Sequence, residues 1–367
     1  ANVFAAGGYE KPALWSAKAV SLGGVAGSQK GADSLYFNPA GLNSTEVNLH
    51  YSVFGGYLTS DINDKNREST NADLVHAGGA LGSYNIGKLT IGLGAYALAG
   101  LDTSYDKVNF AKADSSLGNY TQDLYGKLSV TEFSLGVGYE LNSNWRLGIA
   151  VRGQQAQAEF KDTALVRAKN LGGFGVADGT ILAASTAQFD NLKGSSFGSY
   201  KLGVQFETDN AKSGFGLSYR SPVKIKVEGD LKGKTAYTNT GAALTGATAG
   251  QQYEQTSSGG SLESSIPQQL VFDSHHYLSP KLLVLGGIAW TQYSMNKRLD
   301  IKGDLTNTFD NTTTALGDVQ EHKNDMYDFK TGIQYEYNQE QFVRAGYTYT
   351  NSVTNKNYVA TTAAPPG

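Results

Sequence analysis

The residues best suited to chemistry in this chain are few and do not converge. His275 and His276 form its one adjacent histidine pair, and such pairs hold metals when both rings face one point. The pair lies inside QQLVFDSHHYLSP, where residue types alternate, so a strand there turns the two rings to opposite faces. That geometry favours one wet ring and one interfacial ring. The stretch DINDKNREST (61–70) has the spaced acids of a calcium loop, yet Asn66 stands where such a loop needs Gly and Ala72 where it needs Glu. The clusters GGFG (172–175) and GLGAYALAG (92–100) lack the strand–turn–helix setting of a phosphate loop. No Ser-His-Asp or paired-carboxylate pattern stands out among the 33 acidic residues. The pattern points away from an enzyme, and it implies no metal or cofactor.

Composition narrows the class. In 367 residues there are 45 Gly, 22 Tyr and 15 Phe but 7 Pro, and 17% of residues are charged, against about 25% in soluble domains. The net charge of −3, without a basic run, gives no footprint for nucleic acid. With no Cys, disulfides, thiolate metal sites and thiol nucleophiles are excluded. No apolar run approaches the length of a transmembrane helix. No leader-peptide pattern opens the sequence, and Ala1 reads as the residue left after removal of one. A low-charge, Gly- and Tyr-rich chain without helical spans fits a membrane β-barrel.

The elements that position these residues alternate with period two. In SVTEFSLGVGYEL, Thr131, Phe133, Leu135, Val137, Tyr139 and Leu141 share one face, opposite Glu132, Ser134, Gly136, Gly138 and Glu140. Apolar residues outside and polar or tiny ones inside suit a wall between lipid and a lumen. After the turn NSN the alternation resumes through Trp145, Leu147, Ile149 and Val151, which predicts a hairpin. About eleven strands are readable by this rule, near 46–58, 73–84, 88–100, 128–141, 144–160, 197–208, 213–228, 266–278, 281–297, 325–338 and 341–350. Short connections take turns with long ones at 59–72, 101–127, 161–196, 229–265 and 298–324, as periplasmic turns and extracellular loops do. The loop 161–196 is apolar enough to fold inward, and 229–265 has helical turns around GAALTGATAG. Tyr57, Tyr84, Tyr139, Trp145, Trp290 and Tyr337 fall near strand ends, where interfacial girdles belong. Residues 1–45 lack the period and read as a compact plug. The alternation turns Arg146, Arg152, Lys201 and Arg220 inward. Such charges are structural in most barrels; the alternative is that one or two hold the head group of an amphipathic ligand.

KGADSLYFNPAGL, at 30–42, resembles the N-terminal hatch signature of the FadL/TodX family of outer-membrane transporters for long-chain fatty acids and hydrophobic compounds. GFGLSYRSPVKIKVEGDLKG, SIPQQLVFDSHHYLSPKLLVLGGIAWTQYS and YDFKTGIQYEYNQEQFVRAGYTY are similar to later strands of that family. The resemblance implies an all-β fold: a transmembrane antiparallel β-barrel of fourteen strands, with 1–45 as a hatch plugging the lumen and 46–367 as the barrel. It implies passive uptake of a hydrophobic small molecule or fatty acid into the outer membrane of a Gram-negative bacterium, with lateral release to the bilayer. The barrel would contact lipid and lipopolysaccharide, and detergent in solution. Asn38, Pro39, Ala40 and Gly41 would form the turn that locks the hatch, and Gly94 and Gly100 would flank the lateral opening in the third strand. Arg152, Phe160, Lys161, Leu165, Phe174 and Lys323 would bind ligand. Lys161 and Lys323 lie close to the places of the family's carboxylate-holding cations, with Asp162 and Asn324 beside them, so the ligand need not be a fatty acid. Eleven readable strands against fourteen lead to the expectation that about three more follow Gly367, or that a second polypeptide or fragment completes the wall. A general diffusion porin, or an abundant structural or interaction barrel, is the alternative function.

Overall fold

A computed structural model describes residues 16–55, 59–62, 66–69, 74–338 and 341–354. The wall starts with β1 (Glu46–Gly55); a small hairpin of β2 (Thr59–Ile62) and β3 (Asn66–Ser69) follows. Long strands come next: β4 (Leu74–Ile86), β5 (Leu89–Asn109), β6 (Thr121–Glu140), β7 (Trp145–Arg167) and β8 (Ile181–Glu207). Further on, each rank is broken into pieces. They are β9 (Ser213–Arg220) with β10 (Val223–Tyr237), then β11 (Gln252–Thr256), β12 (Gly260–Ile266) and β13 (Gln269–Ser279). β14 (Leu282–Thr291) and β15 (Arg298–Asn307) form the next rank, then β16 (Thr313–Ala315), β17 (Val319–Gln320) and β18 (Met326–Asn338), and finally β19 (Gln341–Thr350).

Every pairing is antiparallel and follows chain order. β1 pairs with β4, and β4 through β8 pair successively. One half of β8 pairs with β9 and the other with β10; β9 continues to β13, and β10 to β11 and β12. β13 passes to β14, β14 to β18 and β18 to β19, while β15 joins β12 to β16 and β17. Each of the eleven expected segments carries strand.

The lower wall is inverted relative to a soluble protein. Leu49, Leu93, Val151 and Val343 are exposed, whereas Glu132, Arg152, Lys201 and Asp273 are buried. Lipid on the outside removes the penalty for exposed Leu and Ile, and enclosed polar groups satisfy one another inside. Tyr84, Tyr139, Trp145 and Tyr337 are exposed on this surface, as girdle residues would be; Tyr57 lies outside the described residues.

The segments expected as long loops are largely more wall. β5 runs on to Asn109, β6 starts at Thr121, β7 reaches Arg167 and β8 starts at Ile181. The reason is a reversal of polarity along each strand. On β6 the outward Phe133, Leu135 and Tyr139 give way to Asp123, Lys127 and Ser129, while the inward Glu132 and Ser134 give way to Val130, Leu128 and Leu124. On β7 the outward Leu147, Ile149 and Val151 are succeeded by Gln155, Gln157 and Glu159. Between β9 and β10 the parity itself flips at Ser221-Pro222, so that Val223, Ile225 and Val227 point in and Lys224, Lys226 and Glu228 point out. Above the membrane the outer face meets water, so apolar side chains are driven inward. The expected helical turn is present as a helix, Asn239–Thr245, capped by the Thr238 side chain on Gly241 N.

The two largest apolar cores among the described residues lie here. One fills the upper wall's interior with Leu98, Val130, Phe189, Ile225, Leu262 and their neighbours. The other packs Tyr105, Val108, Phe110, Leu117, Tyr120 and Leu124 farther out. Among the described residues, no helix is long and apolar enough to cross a membrane.

Candidate ligand chamber and lateral opening

The N-terminal segment lies against the inner face of the lower wall. It carries α1 (Ala17–Ser21), α2 (Ser34–Phe37) and a single 3-10 turn, Pro39–Gly41. Pro39 supplies the fixed φ of that turn. Asn38 is fully buried: its Oδ1 accepts from Ala40 N at 3.1 Å, and its Nδ2 donates to Gly27 O at 2.9 Å and to Val204 O of β8 at 3.1 Å. One side chain therefore closes the turn, ties it to an earlier loop and anchors both to the wall. The wall accommodates the turn by lacking side chains beneath it. A Cβ on Gly148 would overlap Pro39 and Ala40, and one on Gly203 would overlap Asn38 Oδ1. These glycines are needed for close approach.

Charged groups hold the rest of the segment. Asp273 Oδ2 accepts from Ala26 N at 3.0 Å and Gly27 N at 2.7 Å; its other oxygen is 3.2 Å from Lys330 Nζ, which donates to Gly24 O at 3.2 Å. Lys201 donates to Tyr36 O and lies over the Tyr36 ring at 5.2 Å. His50 Nε2 meets Asp33 Oδ1 at 2.8 Å. Leu22 and Val25 pack on Leu283 and Leu285.

Next to this segment sits a buried polar knot. Both Glu132 oxygens are bonded by Arg152, through Nε at 2.8 Å and through NH2; Gln154 Nε2 donates to Glu132 at 2.9 Å and Tyr96 OH at 2.6 Å. The Tyr96 ring meets the Tyr36 ring edge-on at 4.8 Å. Tyr96 thus joins the N-terminal segment to β5 at a decisive point. The β4–β5 ladder runs from Ile86↔Leu89 to Gly79↔Tyr96 and stops, although β4 extends back to Leu74 against β1 and β5 goes on to Asn109. On the other edge of β5, Ala97 faces Thr131 while Ala99 faces Val130, so Leu98 is an extra residue. This bulge bends β5 away from β4. β3 lies against β5.

Beside the bulge lies an apolar chamber of about 100 Å³. Ala99, Leu128, Val130, Ala158, Phe160, Ile225, Val227, Leu262, Ile266 and Leu299 supply its apolar lining, from six strands. A cavity of this order with an apolar lining admits a monocyclic aromatic ring or a short alkyl segment.

The residues expected at the site separate. Phe160 lines the chamber, 6.4 Å from the Phe189 ring. Arg152 is committed to Glu132, with both side chains fully buried. Leu165 packs on the outer core, Lys161 pairs in register with Tyr125 at the edge of the upper wall, and Phe174 is 74% exposed on a loop tip. Lys323 is buried against Glu321, Nζ to Oε1 3.1 Å; burial lowers its pKa and the Glu321 carboxylate opposes that. Of the two glycines expected at the opening, Gly94 seats Leu35, with 3.2 Å left for a Cβ, and Gly100 is exposed just past the bulge. Arg146, Lys201 and Arg220 are buried as the alternation indicated; Arg146 donates to Gln205 and Arg220 to Pro267 O. His276 meets Ser213 Oγ at 2.6 Å, and His275 alternates to the other face. Parts of the stretch 61–70 lie outside the described residues.

Sequence reading missed Tyr96, Leu98 and Ala99. Tyr96 had a signal, since it is the one bulky side chain among the small inward residues Gly92 and Gly94. A bend in this strand was expected at Gly100; register with β6 places the bulge two residues earlier, at Leu98.

An antiparallel wall with an apolar exterior, a polar lower interior and a chain segment seated within it defines an outer-membrane β-barrel protein. The chain matches the outer membrane protein transport protein family (OMPP1/FadL/TodX) over residues 2–365 and belongs to it. Members of that family reside in the outer membrane of Gram-negative bacteria. A long-chain fatty acid transport protein of Escherichia coli O6:H1 is 25% identical over 254 residues, covering 66% of this chain and 55% of that protein. The chain thus spans about half the length of this curated relative. Among solved structures, the toluene transporter TodX of P. putida superposes with a TM-score of 0.69 at 16% identity, over 93% of this chain and 84% of that one. A FadL homologue of Pseudomonas aeruginosa gives 0.66 at 14%, over 95% and 82%. These two likenesses are of fold.

Proposed function

We propose that the protein is a passive channel for hydrophobic small molecules, long-chain fatty acids being the class named for one relative. Residues 1–45 act as its hatch. A solute enters the apolar chamber from outside and leaves sideways into the bilayer where β5 departs from β4. The observation that carries this reading is the juxtaposition of two features: Ala99 lines the chamber and directly follows the bulged Leu98, beyond the last β4–β5 rung. A solute taking this route never re-enters water, which saves about 25 cal/mol per Å² of apolar surface. Transport of this kind needs no covalent step, since dehydration is the barrier and the protein supplies a dry path around the polar headgroup layer.

The seated N-terminal segment favours this function over a general diffusion porin, because Asn38, Asp273 and Lys201 fix it across the lumen. Ala99→Trp tests the route. The indole would fill the chamber mouth at the bulge, whereas Gly100, being exposed, is a poorer place to block it. Uptake of a hydrophobic substrate by cells should fall with the barrel still inserted and heat-modifiable on gels. Uptake at the normal rate and normal expression would refute lateral passage beside Ala99.

A further inference from the structure

We infer that the chamber takes an uncharged ligand, a hydrocarbon or a neutral molecule with at most one hydrogen-bonding group; this rests on the chamber being the ligand site proposed above. Two lining residues are ionisable, Lys127 and Glu159. Both alternate with the inward residues of their strands (Gly126 and Leu128, Ala158 and Phe160), both are exposed, and they are cross-strand partners. Their backbones form the wall while their charged ends face water.

Four cations on the strands and loops around the chamber are matched by acids. Lys224 meets Glu263 at 2.5 Å, Lys226 meets Glu228, Arg298 meets Asp300, and Lys323 meets Glu321. Below, Arg152 is matched by Glu132. A carboxylate entering this space would lose its water and find these cations already paired and the Lys127 ammonium turned to water, and burying an ion without a partner is costly. A neutral polar group fares better. Ser264 Oγ lies buried at the chamber without a hydrogen-bond partner among the described residues, so one hydroxyl is available to an alcohol, ether or carbonyl.

The test compares 1-octanol with octanoate at pH 8, equal in chain length and different in charge, by calorimetric titration into the purified protein in neutral detergent. Octanol should bind about tenfold or more tightly than octanoate. Octanoate binding equally or better overturns the inference and leaves the transport reading standing. Binding of neither probe overturns the site itself, and with it the proposed function. Ser264→Lys adds the missing charge at the rim and should raise octanoate affinity about tenfold. A variant that keeps octanol binding without that gain also overturns the inference; if the variant does not fold, the wild-type comparison decides.

Discussion

Replacing Glu132 with Gln should be among the most damaging single changes in the lower wall. Its carboxylate accepts five hydrogen bonds: Arg152 Nε, Tyr96 OH and Ser134 Oγ on one oxygen, Arg152 NH2 and Gln154 Nε2 on the other. Glutamine keeps one oxygen and turns its NH2 group toward three of these donors in one placement and two in the other. Arg152, whose side chain is fully buried, then keeps its charge without a counter-ion. Leaving one partner of a buried pair unmatched costs about 3–5 kcal/mol. The double replacement Glu132→Leu with Arg152→Leu removes both charges and should cost less than Glu132→Gln alone. The assay is urea unfolding in detergent micelles, followed by tryptophan fluorescence and gel mobility. Because Tyr96 also touches Tyr36, the single variant should raise ion conductance in planar bilayers as the hatch loosens. A midpoint equal to wild type, or a double variant weaker than the single one, would refute the assignment of this pair as a mutual counter-ion.

Asn38→Ala should leave the barrel folded, since the ladders do not pass through it, but raise small-ion conductance; unchanged conductance would deny Asn38 its role in seating the hatch. Phe160→Ala should enlarge the chamber and shift binding toward bulkier apolar probes, read as the ratio of affinities for naphthalene and toluene, at a stability cost below the roughly 3–5 kcal/mol of a fully buried Phe, since Phe160 is half-buried. Burial raises the Tyr120 phenol to about 12, against hydrogen bonds from Thr186 that pull the other way. The folded protein holds the neutral form, so the outer core should lose stability as pH rises from about 10 through about 12. Tyrosinate absorbance of the wild type minus that of Tyr120→Phe should show one phenol ionising near pH 12. A difference centred near pH 10 would mean that Tyr120 is not buried in the folded protein.

The period of two, taken with low charge and abundant Gly and Tyr, was enough to establish the lipid-facing wall. Residues such as Leu135, Ile149 and Leu217 can lie outward on a strand in no other solvent, and their spacing alone says so. The buried turn at Asn38–Gly41 was legible for the same local reason, because a proline and a capping side chain act within three residues. Where the polarity reverses, the sequence signal weakens. Leu124 and Leu128 point inward above the membrane while Leu135 points outward within it, so one strand carries two contradictory patterns and its upper half resembles loop. Backbone pairing carried β5 to β8 through those segments, and pairing is a relation between strands. Tertiary structure alone also decided which charges are spent on each other. Arg152 and Lys323 are cations in any reading, and the NSN hairpin sets the strands of Glu132 and Arg152 side by side, but only register and side-chain packing bring Arg152 onto Glu132, twenty residues before it. The bulge at Leu98, the end of the β4–β5 ladder and the apolar chamber beside them are products of register and curvature, which a single strand's sequence does not contain.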